Sequence, residues 1–325
     1  MNFRRRVAVL SLTAGVLVLA IVAGLAFSPE ARRSRETRGG ILLRDPAEID
    51  TLEISDSSGL RVFRRLGAAW VLDEDGAFLP ARAERIEAYL TILGSLRSRE
   101  EVSRREASWE TLGLDDTSGR RIRLLLRDGS AAADFRVGRY SPDGSRVFLR
   151  MERDPRGYAV PGPVASRLPT ARTTWLDLRV FGEPVPLEDV MSLRISGSLT
   201  FPDGTAFGPG YTLERDRSGG WTSKQIPDPD PAAVGRLVRS WMNAEADDFT
   251  ARDVAGVAGG PRSELRVDLE LGGGTLRSLR ITGPADPEGR FAVIRTGGYG
   301  PMALSPWILR DLLKSPGELS IPSVP

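Results

Sequence analysis

The chain contains no histidine and no cysteine, so any chemistry it performs falls to its acids, hydroxyls, aromatic rings and glycine-rich turns. Imidazole acid–base work, Ser–His triads, thiolate nucleophiles and zinc–sulfur sites are excluded together. Asp73, Glu74 and Asp75, and again Asp228 and Asp230, set carboxylates close in sequence, as a hard cation such as calcium would need. Neither group has the alternating register of a calcium loop and both flank turns, so solvated loop acids are expected and no metal ligand is assigned. "LGGGT" at 271–275 has consecutive amides that could cradle an anion, but it lacks the lysine and following helix of a phosphate loop. It lies between the strand-like runs "RVDLEL" and "LRSLRI", which makes it a hairpin turn. Ser223 and Lys224 are adjacent, and strand neighbours point to opposite faces, so they form a poor nucleophile–base pair. A carboxylate pair for glycoside hydrolysis stays open, because such acids come from distant positions. No catalytic residue and no cofactor is assigned, and the expectation is a protein that is not an enzyme.

Aromatic residues offer recognition instead of catalysis. "GYAVPGPV" and "GGYGPMALSPW" place rings and prolines just before a helix, which suits a groove or a domain seam. Tyr158, Tyr299 and Trp307 are therefore nominated as a contact surface, with burial between domains as the competing reading. Trp70, in "LGAAWVLDE", and Trp221, in "SGGWTSK", each follow a turn and precede a helix. An indole recurring at one topological point is most simply a core plug, so both are read as structural.

The elements that must position these residues begin after an unusual amino terminus. Val7 to Phe27 carries no charge, and as a helix it would extend about 31 Å, the thickness of a bilayer's hydrocarbon core. The run is longer than a signal peptide's apolar region and ends in bulky Leu25 and Phe27, so an uncleaved transmembrane anchor at 7–27 is expected, with a cytoplasmic tail at 1–6. Arg4, Arg5 and Arg6 precede the run and Arg32, Arg33, Arg35 and Arg38 follow it, so the charge comparison is nearly even. The short leading tail favours an exported body, at a bacterial inner membrane. Residues 28–47 read as a linker. Over the whole chain 45 basic residues balance 43 acids, and beyond the amino terminus arginines such as Arg120, Arg121 and Arg123 alternate with apolar residues and acids, a pattern unsuited to tracking phosphates, so no nucleic-acid partner is expected.

Beyond the linker the chain reads as strands and turns. "IDTLEIS" (49–55) points Ile49, Leu52 and Ile54 inward with one irregularity, and Pro80 opens a helix whose Ile86, Tyr89, Leu90 and Leu93 share a face. From residue 187 the order recurs: "LEDVMSLRISG" repeats the first strand, Trp221 stands for Trp70, and "PDPAAVGRLVRSWMN" repeats the helix. The expected fold class is α+β: one N-terminal transmembrane helix, then two tandem, mutually similar domains at 48–185 and 186–320. Each domain would be an antiparallel-rich sheet with one main helix and a short closing helix.

"LGLDD" (112–116), "FRVG" (135–138), "RVFLRM", "GYAV" and "TWLDLRVF" in this order resemble the domain of unknown function family numbered 4340. The likeness covers about residues 48–181 well and the second copy more loosely, since "VAGVAGG" stands there in place of "LGLDD". It implies one membrane span, an exported α+β body and the company of ABC-type export systems of the gliding-motility kind, and it carries no catalytic residues. The expectation is thus a non-enzymatic, membrane-anchored extracytoplasmic accessory or scaffold protein with ABC transporter subunits as partners. A binding module for an envelope polymer or saccharide is the alternative, and a carboxylate-dependent hydrolase the third reading.

Overall fold

Residues 40–97, 99–250, 264–284, 286–298 and 300–321 are described by the computed structural model. The chain divides into two compact units, one comprising residues through Ala171 apart from Phe78–Pro80, the other Phe78–Pro80 and Arg172 onwards.

The first unit is built on nine strands: β1 (Ile49–Asp56), β2 (Gly59–Leu66), β3 (Ala69–Glu74), β4 (Ala77–Ala81), β5 (Glu100–Ser103), β6 (Arg120–Leu126), β7 (Ala131–Tyr140), β8 (Arg146–Met151) and β9 (Gly157–Pro161). They form one sheet in the order β4-β3-β2-β1-β6-β7-β8-β9-β5. Alternation divides its two faces. Leu52 and Ile54, Phe63, Ile122 and Leu124, Phe135 and Val137, and Val147 and Leu149 are buried on one face, each worth about 1.5–3 kcal/mol of transfer free energy. The opposite face carries Glu53, Arg121, Arg123, Asp134, Arg136 and Arg150, paired across strands in the registers Glu53↔Arg123, Arg121↔Arg136 and Arg136↔Arg150. Helix α1 (Ala83–Ser95) buries Ile86, Tyr89, Leu90 and Leu93, the spacing its sequence requires. Pro80 lies in β4, so the helix opens after it and not on it. Two single-turn helices, α2 (Trp109–Leu112) and α3 (Pro163–Ser166), complete the unit. Ile41 and Leu42, at the end of the stretch read as a linker, are buried.

The second unit uses β10 (Val190–Thr200), β11 (Ala206–Phe207), β12 (Tyr211–Arg215), β13 (Trp221–Thr222), β14 (Asp248–Phe249), β15 (Glu264–Leu271), β16 (Leu276–Pro284), β17 (Phe291–Arg295) and β18 (Met302–Leu304). Their order is β13-β12-β10-β15-β16-β17-β18-β14, with β11 folded back onto β10. This matches β3-β2-β1-β6-β7-β8-β9-β5 position for position. Helix α4 (Pro231–Met242) starts on Pro231 with Asp230 accepting from the Ala232 amide at 2.9 Å, a helix start that Pro and Asp together favour. Helices α5 (Pro306–Leu312) and α6 (Pro316–Leu319) end the unit.

One small assembly occurs in both copies. β1 shifts register against β6 between Ile49 and Thr51, and β10 shifts against β15 between Val190 and Ser192. In each case the arginine of the next strand donates from Nε to the carbonyl at the shift, Arg65 to Ile49 and Arg215 to Val190, both at 3.1 Å. Each guanidinium then stacks on the tryptophan paired with it, 4.7 Å over Trp70 and 4.8 Å over Trp221. The bulged carbonyl is satisfied and the indole is fixed by one side chain.

The structure corrects the α+β expectation. The body is β-rich, two large antiparallel sheets with the smaller share in helices, and among the described residues only α1 and α4 exceed two turns. The physical reason is hairpin continuity: turns return each strand to its neighbour, so most of each unit is spent in antiparallel strands, and the main helix of each unit, α1 or α4, buries one apolar face. The described residues show no counterpart of the expected N-terminal transmembrane helix. Among the described residues no helix is long and apolar enough to cross a membrane, and the run 7–27 lies outside them.

Candidate functional site

The charged face of the first sheet sets three arginines side by side. Arg121 faces Arg136 across β6 and β7, and Arg136 faces Arg150 across β7 and β8. Like charges directly opposite each other are unfavourable, so the row persists only with carboxylates among it. Asp134 takes Arg121 bidentately, 3.0 Å from Nε and 2.8 Å from Nη2, and Glu53 takes Arg123 at 2.8 Å. Hydrogen bonding to Asp134 raises the Arg121 pKa further above its ordinary value.

Arg136 and Arg150 are held differently. They are only 8% and 5% exposed, yet neither guanidinium is gripped bidentately. Asp116 Oδ1 bridges them, 2.9 Å from Arg136 Nη2 and 3.5 Å from Arg150 Nη2, and Glu152 lies 3.4 Å from Arg136 Nε and 3.8 Å from Arg150 Nη2. Nε of both arginines and Oε2 of Glu152 are buried with no hydrogen-bond partner. Trp109 closes the group, with the Arg150 guanidinium 3.8 Å over its ring and its own Nε1 donating to the Pro155 carbonyl at 3.1 Å.

The local sequence explains how these residues meet. "LGLDD" ends α2 with Gly113 in the left-handed region at φ 68°, a conformation glycine adopts at little cost. Asp115 then accepts the Thr117 and Ser118 amides at 2.9 and 3.0 Å and both hydroxyls, with the Ser118 hydroxyl contributing most to holding its carboxyl well below the usual range. The turn lies on β7 because Gly138 has no side chain: a Cβ there would stand 2.3 Å from the Leu112 carbonyl oxygen. "LGLDD" supplies Asp116, "FRVG" supplies Arg136 and the space for the turn, "RVFLRM" supplies Arg150, and Gly157 of "GYAV" packs against Leu112 and Leu114.

A profile of the family described as "Domain of unknown function (DUF4340)" matches residues 70–266, more than half of the chain. The chain belongs to the DUF4340 family. The match opens at the Trp70 strand, contains Trp109, Asp116, Arg136, Arg150 and Glu152, and ends at Arg266 in β15. No curated protein and no solved structure matches the chain.

In this DUF4340 protein the nominated aromatics differ in their surroundings where they are described. Tyr158 is 2% exposed, with its hydroxyl donating to Asp154 at 2.6 Å and its ring beside Arg99 at 4.7 Å. Burial, then that hydrogen bond, push its phenol up to about 12. Burial would raise Asp154, but bonds from Arg156 and Tyr158 outweigh it and bring the carboxyl to about 2. Trp307 is 66% exposed on α5, and Tyr299 and the "VAGVAGG" segment lie outside the described residues. Trp70 and Trp221 are buried. Trp70 also donates from Nε1 to Glu87 of α1 at 2.8 Å.

The acid groups have structural employment. Asp73 accepts from Arg64 at 2.9 Å and from the Gly76 amide, Asp75 and Asp228 adopt positive φ in turns, and Asp230 caps α4. No group of three or more potential ligands occurs among the described residues. Gly272–Gly274 turns β15 into β16. A cavity of about 550 Å³ opens in the second unit between Arg194, Ser196, Ser198, Pro209, Thr212 and Gln225.

The arginine group escaped sequence reasoning because its members are 34 residues apart between Asp116 and Arg150. The signal available was the i, i+2 spacing of charges in "RRIRLLL", "ADFRVG" and "FLRME". Only the strand register turns that spacing into contact.

Proposed function

We propose that this DUF4340 protein is a non-enzymatic accessory or scaffold held at a bacterial inner membrane, with its body outside the cytoplasm, docking onto protein partners such as the subunits of an ABC-type export system. The observation that carries the reading is the chemistry of the arginine row. Arginine stays protonated at any working pH, so it transfers no protons, while its planar fork and its stacking on Trp109 are recognition devices. The uncharged run 7–27 supports attachment at a membrane, which raises the local concentration of the body for its partners. The export setting rests on the family likeness.

Extraction in mild detergent followed by affinity purification is expected to recover transporter subunits with the protein. Repeated recovery of the protein alone would count against it. Protease treatment of cells with the outer membrane opened, before and after lysis of the inner membrane, checks the placement: a body outside the cytoplasm is cut in both, and a cytoplasmic body only after lysis. The saccharide reading required Tyr158, Tyr299 and Trp307 to be accessible together, and a buried Tyr158 favours protein docking over it.

A further inference from the structure

Two ion pairs of the first unit show what a saturated arginine edge looks like. Asp134 takes Arg121, and Asp154 takes Arg156, through the Nε–Nη2 edge with both carboxylate oxygens. The same edge of Arg136 and of Arg150 is unsaturated: each Nε has no hydrogen bond, Glu152 standing 3.4 Å from that of Arg136 without making one, and the two Nη2 atoms share one oxygen of Asp116. Resting on the docking reading above, we propose that the open forks of Arg136 and Arg150 receive a carboxylate of a partner polypeptide in exchange with Asp116.

Three observations fit this exchange. The first is exposure on a closed turn: the Asp116 side chain is 79% exposed, while the turn that carries it is held by Asp115, so Asp116 can leave the forks with the turn intact. The second is charge. Arg121 and Arg123 are balanced by Asp134 and Glu53, which leaves Arg136 and Arg150 against Glu152 and Asp116. With Asp116 withdrawn the group keeps one net positive charge, which matches a monoanionic carboxylate and not a phosphate dianion. The third is preorganisation: Arg150 is fixed on Trp109 and both guanidiniums are buried, so little side-chain freedom is left to lose on binding. The site belongs to the first copy alone, because Ile294 stands opposite Arg280 at the register position where Arg150 stands opposite Arg136.

The test uses the full chain in detergent and three probes: the peptide acetyl-Gly-Asp-Gly-amide, acetate and methyl phosphate. Binding is read from the arginine Nε–H resonances, with those of Arg136 and Arg150 assigned through Arg136→Lys and Arg150→Lys. Removing an intramolecular competitor of millimolar effective concentration by Asp116→Asn is expected to tighten the peptide roughly tenfold or more and to shift both resonances. Arg136→Lys keeps the charge without the fork and is expected to lose the peptide. Equal peptide affinity for the parent protein and Asp116→Asn overturns the exchange, and wild-type affinity in Arg136→Lys overturns the fork. Acetate binding as tightly as the peptide overturns the polypeptide source, and an equal gain for methyl phosphate overturns the charge argument. Asp116→Asn is also expected to lower the melting temperature by about 2–4 °C, with the peptide restoring it, whereas a purely structural ion pair would show no restoration. Co-purification without peptide binding sinks the site and leaves the docking reading standing, and the reverse outcome separates them the other way.

Discussion

At Trp70 the indole both fills space between β3 and α1 and anchors the helix through Nε1 and Glu87, and substitution separates the two roles. Trp70→Phe keeps a ring and loses the bond, at an expected cost of about 1–2 kcal/mol, while Trp70→Ala also empties the volume and is expected to cost about 3–5 kcal/mol. Denaturant midpoints measure both: no cost from Trp70→Phe would show that the hydrogen bond contributes nothing, and equal costs that the ring's volume adds nothing to it. Asp154 gives a pH dependence. Its folded pKa lies at about 2, below the ordinary 3.8, so its stabilisation is complete above the ordinary value and is lost as pH falls through about 2. Tyr158→Phe removes one of the bonds that depress it, so the acid-unfolding midpoint is expected to move to higher pH, with about 2 kcal/mol lost near neutrality. An unchanged acid midpoint would remove Tyr158 from the account. Both tyrosine and tryptophan stand in quoted motifs, yet their partners Asp154 and Glu87 follow from contacts that no spacing rule supplies.

The turn formed by "LGLDD" is the element that joins the arginine group, and its seat on β7 is a close backbone approach at Gly138. Gly138→Ala is expected to lift the turn, to cost about 1–3 kcal/mol and to release Asp116 from Arg136. Hydrogen exchange checks this: faster exchange of the Gly113 and Leu114 amides, which donate to Glu110 and Trp109 at 3.1 and 2.7 Å, is the expected result. Unaltered protection there would mean that the turn tolerates the methyl group. Among the strands, alternation made the inward set of β1 legible, and Ile49, Leu52 and Ile54 are all buried with the irregularity where the register shifts. The helix at Pro80 was legible in its buried face but not in its start, because proline was equally at home ending β4.

At the scale of the molecule, the matching strand orders of the two sheets make Leu52 and Leu193 equivalent, each at the same cross-strand register, Leu52 between Phe63 and Leu124 and Leu193 between Leu213 and Leu269. Leu52→Ala and Leu193→Ala are each expected to cost about 2–5 kcal/mol, with amide protection lost first in the strands paired to the altered residue. A large cost from one and none from the other would mean that the two sheets do not carry equivalent cores. By itself the sequence determined the absence of imidazole and thiol chemistry, the doubling of the strand–Trp–helix order and the alternating faces of the strands. These depend on residue type and local period, which a one-dimensional record preserves. The tertiary structure decided that the units are sheet-dominated, that Tyr158 is interior, and that Asp116, Arg136 and Arg150 form one group. Each of those depends on strand register, and a shift of a single residue would turn every arginine of the row to the opposite face.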